Sequence, residues 1–181
     1  MSLLRVLKYP DPVLKKKSHD VGKVNDSIRT LVSQMFETMY FEAGIGLAAP
    51  QVGEHLRVIV VDVPKPYPDD PQKVQSDAIA LINPKIIESH GQTQFEEGCL
   101  SCPELIVKVD RASDVKVTYL DLDGKLCTLD ATGLKAVCIQ HEIDHLNGVL
   151  LADKVSRLER DLYKQKRIRL AKDEKDLGAV L

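Results

Sequence analysis

His141-Glu142-Ile143-Asp144-His145 places two imidazoles and a carboxylate within one short stretch. Four residues make just over one helical turn, so on a helix the two rings share a face, with Cβ atoms about 5–6 Å apart. At that separation two ring nitrogens reach one metal ion. Glu142 projects to the side of that face, where a carboxylate can take a proton from a water on the metal. The pattern reads as two ligands and a general base. The bland alternative is a hydrogen-bonded pair of core histidines. Against it, two titratable groups in an apolar setting are costly unless paired or metal-bound.

A catalytic metal needs a third ligand. No histidine follows His145, and the downstream Glu159 and Glu174 fall in a charged terminal segment. Upstream, Cys99 lies in Glu97-Gly98-Cys99-Leu100-Ser101, a short turn-like stretch between strand candidates. A thiolate there completes a Cys-His-His set and leaves one position for water. Spacing alone does not choose among the cysteines; Gly98 favours Cys99, because backbone without a side chain can approach a metal closely. Cys127 and Cys138 read as small buried hydrophobes. In a rival reading Cys99 and Cys102 form C-x-x-C and join both histidines in a closed structural zinc site. The long separation from Cys102 to His141 and the idle Glu142 count against it. A thioredoxin-like redox pair lacks the surrounding βαβ pattern.

The elements that must position these groups are mixed α and β. Leu134, Val137, Cys138, His141 and His145 follow one helical face, and Ile139, Ile143 and Leu146 make a second stripe. A helix apolar on both sides is a buried one. Asp130 or Thr132 is expected to cap its start, and Gly148 to end it in a left-handed conformation. Pro10-Asp11-Pro12 opens a helical turn. Asn25 or Asp26 caps an amphipathic helix through Ile28, Val32, Met35 and Met39. Arg57 to Val63 reads as a buried strand, and Ala78 to Glu88 and Glu104 to Asp110 as further strands. Val115, Val117 and Tyr119 alternate with polar residues, and Asp123-Gly124 turns them back into Leu126 to Leu129. Pro64 to Asp77 holds four of nine prolines and reads as an irregular surface loop. A charged helix from Ser156 to Asp176, with a weak apolar stripe through Leu158, Leu162 and Ile168, closes the chain. The fold class is α+β, antiparallel strands wrapped around one buried helix.

Length and composition fit that reading. The chain of 181 residues suits one domain, and 44% hydrophobic with 29% charged residues is ordinary for a globular protein. No apolar run approaches a membrane span, and the N-terminus lacks a signal-peptide core. Four cysteines without an export signal imply a reducing cytoplasm. A net charge of −2 excludes a global affinity for nucleic acid. From Lys154 to Lys172, however, eight basic residues face two acidic ones, a local balance of +6.

Three segments together resemble the peptide deformylases. They are Gly44-Ile45-Gly46-Leu47-Ala48-Ala49-Pro50-Gln51, Glu97-Gly98-Cys99-Leu100-Ser101 and Gln140-His141-Glu142-Ile143-Asp144-His145. Their order and separation match too, and the helical C-terminus resembles the bacterial type I enzymes of Gram-negative organisms. The loop near Asp69 looks like an insertion relative to shorter members. Ile106 stands where many members carry an arginine, and Cys102 where an aliphatic residue is common.

The resemblance implies one divalent metal held by Cys99, His141 and His145, Fe(II) in the cell, with Zn(II) or Ni(II) in purified protein. It implies hydrolysis of the N-formyl group from formyl-methionine of nascent polypeptides, releasing formate, with Glu142 as base. It places the backbone N–H of Leu100 and the amide of Gln51 around the formyl oxygen. It assigns Gly46 to a loop beside the substrate, and Ile45, Leu134, Cys138 and His141 to the methionine pocket. Gln140 and Asp144 are expected to orient the ligands, with Arg111 partnering Asp144. A cytoplasmic monomer that docks its basic terminal helix on ribosomal RNA near the exit tunnel fits the same picture, as does a terminal helix that charge merely keeps solvated.

Overall fold

The computed structural model describes residues 3–178 apart from 68 and 71, with side chains described up to residue 172. Helix α1 (Asp26–Phe41) precedes strands β1 (Gly46–Ala48) and β2 (Val58–Val61). A miniature ribbon, β3 (Lys65–Pro66) and β4 (Val74–Gln75), leads to β5 (Ile79–His90), β6 (Thr93–Cys99), β7 (Cys102–Arg111), β8 (Asp114–Leu120) and β9 (Leu126–Thr132). Helix α2 (Gly133–Leu146) and helix α3 (Arg157–Gly178) follow. One antiparallel sheet has the order β1-β2-β5-β8-β9, and β6 pairs with β7 in a separate ribbon.

The four residues of β2 are all buried because the sheet is covered on both faces. Ile59 and Val61 point into a cluster with Ala136, Ile139, Ile143 and Leu146 of α2. Val58 and Val60 point the other way, onto Val32, Met35 and Met39 of α1. Strand alternation thus sends one run of aliphatics into two layers. Helix α2 lies between this sheet and the β6–β7 ribbon. The expected α+β class and buried helix after the last strand are both observed, and α1 adds a layer that the wrapped-helix picture did not contain.

Local chemistry explains most boundaries. Asn25 accepts a hydrogen bond from the Ile28 amide at 3.1 Å and starts α1. Gly148 takes φ +73° just beyond α2, as expected of a helix terminator, and an added Cβ would meet the Lys15 carbonyl. The start of α2 differs from expectation. Thr132 sits at the cap position without a side-chain cap bond, and Asp130 lies on β9, ion-paired with Lys116 at 3.7 Å. Strand β9 runs straight into the helix, so no loop residue is placed to fold back onto its first amides.

The 64–77 loop is less irregular than its prolines suggest. Lys65 pairs with Gln75, and Pro66 with Val74; Pro68 and Pro71, two of its four prolines, lie outside the described residues. Asp77 accepts from Lys65 and from Lys135 of α2, each at 2.5 Å, which pins the loop to the body. In α3 the expected stripe through Leu158, Leu162 and Ile168 is exposed. The anchor is Tyr163, buried and stacked on Tyr9 at 5.7 Å, its hydroxyl donating to the Pro103 carbonyl at 2.9 Å. Ser156 and Glu159 cap the helix start reciprocally.

Candidate metal centre

The i, i+4 spacing on α2 brings the His141 and His145 Nε2 atoms within 3.3 Å of each other. The β6–β7 ribbon delivers Cys99 from the opposite side, its sulfur 3.2 Å from His145 Nε2. One donor atom from each of Cys99, His141 and His145 lies within 4.8 Å of the other two. Among the described residues no other His, Cys, Asp or Glu joins this group. Cys102 instead belongs to an apolar cluster with Leu150, Leu151 and Tyr163.

A chain of charged hydrogen bonds holds the rings. The carboxylate of Glu97 accepts from His141 Nδ1 at 2.8 Å, which leaves the lone pair of that ring on Nε2, facing the other two donors. Arg111 grips Glu97 with two bonds of 2.8 and 2.9 Å and donates to Asp144 at 2.7 Å. Lys154 adds a contact of 3.2 Å to Asp144. Burial pushes the Glu97 carboxyl up, but the Arg111 and His141 hydrogen bonds outweigh it and hold the group down at about 2. Burial works against protonation of His141 as well, yet its bond to Glu97 raises it. His145 is held neutral by burial.

Sequence reasoning passed over Glu97, although it opens the second motif. Its position at the head of that motif, two residues before Cys99, is the one signal the sequence carries. Arg111 does partner Asp144, as expected, and the pair reaches His141 through Glu97. Gln140 does not orient a ligand: it donates to the Ala112 and Ala136 carbonyls at 2.9 and 3.0 Å, tying α2 to the turn before β8.

Gln51 is 1% exposed and fixed at both ends. Its carbonyl accepts from the Ala48 amide at 2.8 Å, so its NH2 must point outward. That NH2 donates to Ser101 Oγ at 3.1 Å and reaches the Cys99 sulfur at 3.7 Å. Local backbone satisfaction and a place beside the donor cluster therefore coexist in one side chain. Leu100, adjacent to Cys99, accepts from Lys8 Nζ at 2.8 Å through its carbonyl.

Glu142 is buried at 4% exposure, and its Oε2 has no hydrogen-bond partner among the described residues. Burial pushes its carboxyl up to about 7. The reason Gly46 must be glycine is visible here. A Cβ at that position would lie 2.5 Å from Glu142 Oε1 and 2.7 Å from the Cys138 sulfur. Strand β1 thus presses its bare backbone onto α2 at the carboxylate.

The cluster opens into a cavity of about 430 Å³. Ile45, Gly46, Gln51, Leu100, Leu134 and Cys138 all line it, together with Cys99, His141 and Glu142. Ile106 and Phe95, both exposed, form the outer lip from β7 and β6. Every residue singled out from sequence for binding or chemistry, except the deeper His145, borders this space.

A divalent metal fits the three donors. One sulfur and two imidazole nitrogens, with a fourth direction open to the cavity, match a catalytic coordination set. Contact with Cys102 and burial both hold Cys99 as a thiol when no cation is present, so binding would displace its proton.

Comparison with known proteins places this arrangement in context. The family model described as polypeptide deformylase matches residues 3–161. A peptide deformylase of Thermodesulfovibrio yellowstonii is 47% identical over 166 residues, 92% of this chain and 97% of that one. The crystal structure of peptide deformylase from Ehrlichia chaffeensis superposes with a TM-score of 0.85 at 39% identity, covering 94% of this chain and 97% of that one. A peptide deformylase from Legionella pneumophila gives 0.83 at 40%, covering 96% and 98%.

Proposed function

This chain belongs to the polypeptide deformylase family, and on that premise we propose how its residues carry out the family's reaction. The protein is an enzyme, an amide hydrolase that removes the N-formyl group from nascent polypeptides. In our reading one chain, residues 1–181 as a single catalytic domain, holds one divalent metal on Cys99, His141 and His145. Fe(II) is the ion in the cell, with Zn(II) or Ni(II) as substitutes after purification. The observation that carries this is the convergence of those three donors beside a buried, unpartnered Glu142 at the floor of the cavity.

When bound, the metal supplies Lewis-acid polarisation and makes water acidic enough to act near neutral pH. The protein's own groups do the rest. Glu142 accepts the proton of the attacking water as the formyl carbon becomes tetrahedral, and then delivers that proton to the departing amine. A carboxyl that burial brings to about 7 is suited to both transfers. The Gln51 amide, held outward by Ala48, and the Leu100 backbone N–H donate to the formyl oxygen as charge develops there. Such donors contribute about 3–4 kcal/mol each in acyl-transfer sites. Ile45, Leu134 and Cys138 make the apolar pocket for the methionine side chain. Gly46 passes its backbone beside the substrate and leaves room for Glu142.

We place the enzyme in the cytoplasm as a monomer, where formylated chains emerge. No described helix is long and apolar enough to cross a membrane. The basic residues of α3 lie mostly on its exposed face, which supports docking on ribosomal RNA near the exit tunnel. Several are already engaged: Lys166 with Glu104 at 2.7 Å and Arg160 with Asp153 at 3.7 Å.

Formate release from formyl-Met-Ala tests the reading. Wild-type protein is expected to release formate, and Glu142→Ala to lose that activity while retaining its metal. Undiminished release by Glu142→Ala, or cleavage of internal bonds in unformylated peptides instead, would overturn the assignment.

A further inference from the structure

We propose that Cys99 and Cys102 form a reversible disulfide, so that the pair is an oxidation site that unloads the metal centre. The β6–β7 ribbon closes through a turn of only two residues, Leu100 and Ser101, and Cys99 and Cys102 are its last register pair. Opposed residues of an antiparallel pair carry their side chains on the same face, with Cα atoms about 4.5–5.5 Å apart. That separation lies within the span of about 4.4–6.8 Å that a disulfide bridges. Cys99 packs against the apolar cluster that contains the fully buried Cys102. On its other side the Cys99 sulfur touches His145 Nε2 at 3.2 Å and the Gln51 amide at 3.7 Å. One sulfur therefore stands between the donor cluster and a second thiol.

The two positions differ in access. Cys99 is half-buried and borders the open cavity, where a small oxidant arrives. Cys102 also lies against this cavity but is fully buried, so it needs only to meet its neighbour. With a peroxide as oxidant the chemistry balances in two steps. The Cys99 thiolate attacks a peroxide oxygen; the S–O bond forms, the O–O bond breaks and hydroxide leaves. Cys99 has then lost two electrons to the peroxide. The Cys102 sulfur next attacks the sulfenic sulfur; the S–S bond forms, the S–O bond breaks, and water departs with the thiol proton. A disulfide sulfur no longer offers the anionic thiolate that binds a metal, so two imidazoles remain and the ion is released. A dithiol reductant reverses the sequence. Cys102 thereby intercepts Cys99 before it climbs to the irreversible sulfinic and sulfonic acids.

The bridge follows from the ribbon alone, whereas release of the ion rests on the reading of Cys99 as a ligand. Zinc-loaded protein suits the test because zinc itself has no redox chemistry. After peroxide treatment, we expect intact mass to show loss of two hydrogens, with Cys99 and Cys102 both protected from alkylation. A chromogenic chelator should capture the zinc, and dithiothreitol should restore zinc binding. In Cys102→Ala the same treatment should add oxygens to Cys99 and leave binding unrecoverable. Oxygen adducts on wild-type Cys99 without the bridged species would overturn the proposal. So would recovery of Cys102→Ala to the wild-type level. A bridge that forms while zinc stays bound would contradict the unloading, and with it the placement of Cys99 among the ligands.

Discussion

Helices α2 and α3 are held in place by opposite means. Helix α2 is apolar on nearly every side and lies between the five-stranded sheet and the β6–β7 ribbon, so tertiary burial fixes it. Helix α3 is charged around most of its girth and depends on a Ser156–Glu159 cap, a few ion pairs and one buried tyrosine. Around the buried helix every charged group has a partner except Glu142, whose carboxyl burial pushes up to about 7. Glu97, Arg111 and Asp144 are therefore committed to His141 in one chain of contacts. The exposed helix pairs some of its charges at the surface, as Lys166 does with Glu104, where solvent keeps each pair worth about 0–1 kcal/mol. Precision in this molecule is concentrated where water is absent.

Removing Glu97 should break the contrast most severely. Glu97→Ala leaves Arg111 with a buried charge short of its main partner and His141 without its orienting carboxylate. We expect a loss of about 3–5 kcal/mol in chemical denaturation and metal affinity weakened about 10–100-fold in a chelator competition. An equal loss on truncating α3 would erase the distinction.

Acid should find the same weak point. Glu97 is held at about 2 in the folded protein, below its ordinary value. A depressed carboxyl stabilises the fold above its unfolded value and loses that contribution as pH falls toward the folded one. Stability should therefore drop by roughly 3 kcal/mol between about pH 5 and pH 2. Thermal melts across that range should show a smaller drop for Glu97→Gln, which has no proton to take up there.

Gly46→Ala probes close packing at the buried helix without removing an ionisable group. Its Cβ would meet Glu142 Oε1 at 2.5 Å. Overpacking of this kind costs about 1–3 kcal/mol, and because the carboxylate is what must move, formate release should fall further than the melting temperature implies. The smallest effect is expected at α3. Tyr163→Phe removes one hydrogen bond to Pro103 and should cost about 1 kcal/mol in denaturant titration, with turnover on short formyl peptides unchanged. Truncation before Ser156 should leave that turnover intact and abolish ribosome co-sedimentation; unchanged co-sedimentation would sink the docking role.

The same contrast explains what could be read from the residues alone. Helix α2, its two histidines, Glu142 and Cys99 were legible because helical periodicity and metal-ligand chemistry agree there. Helix α1 was legible from Asn25 and its apolar spacing. Strand β6 was missed because most of Thr93–Cys99 is exposed and carries no alternating pattern; backbone pairing with β7 makes it a strand. The role of Glu97 was hidden for a related reason, since its partners Arg111 and His141 are distant in sequence. Tyr163 was overlooked in favour of three aliphatics that remain in solvent, because one aromatic makes no stripe.

The proposed chemistry depends on a metal held by one sulfur and two imidazoles. X-ray absorption at the metal edge of the loaded wild-type protein measures that directly. One sulfur scatterer, two imidazoles and a remainder of light atoms from solvent are expected. Two sulfur scatterers, or none, would contradict it.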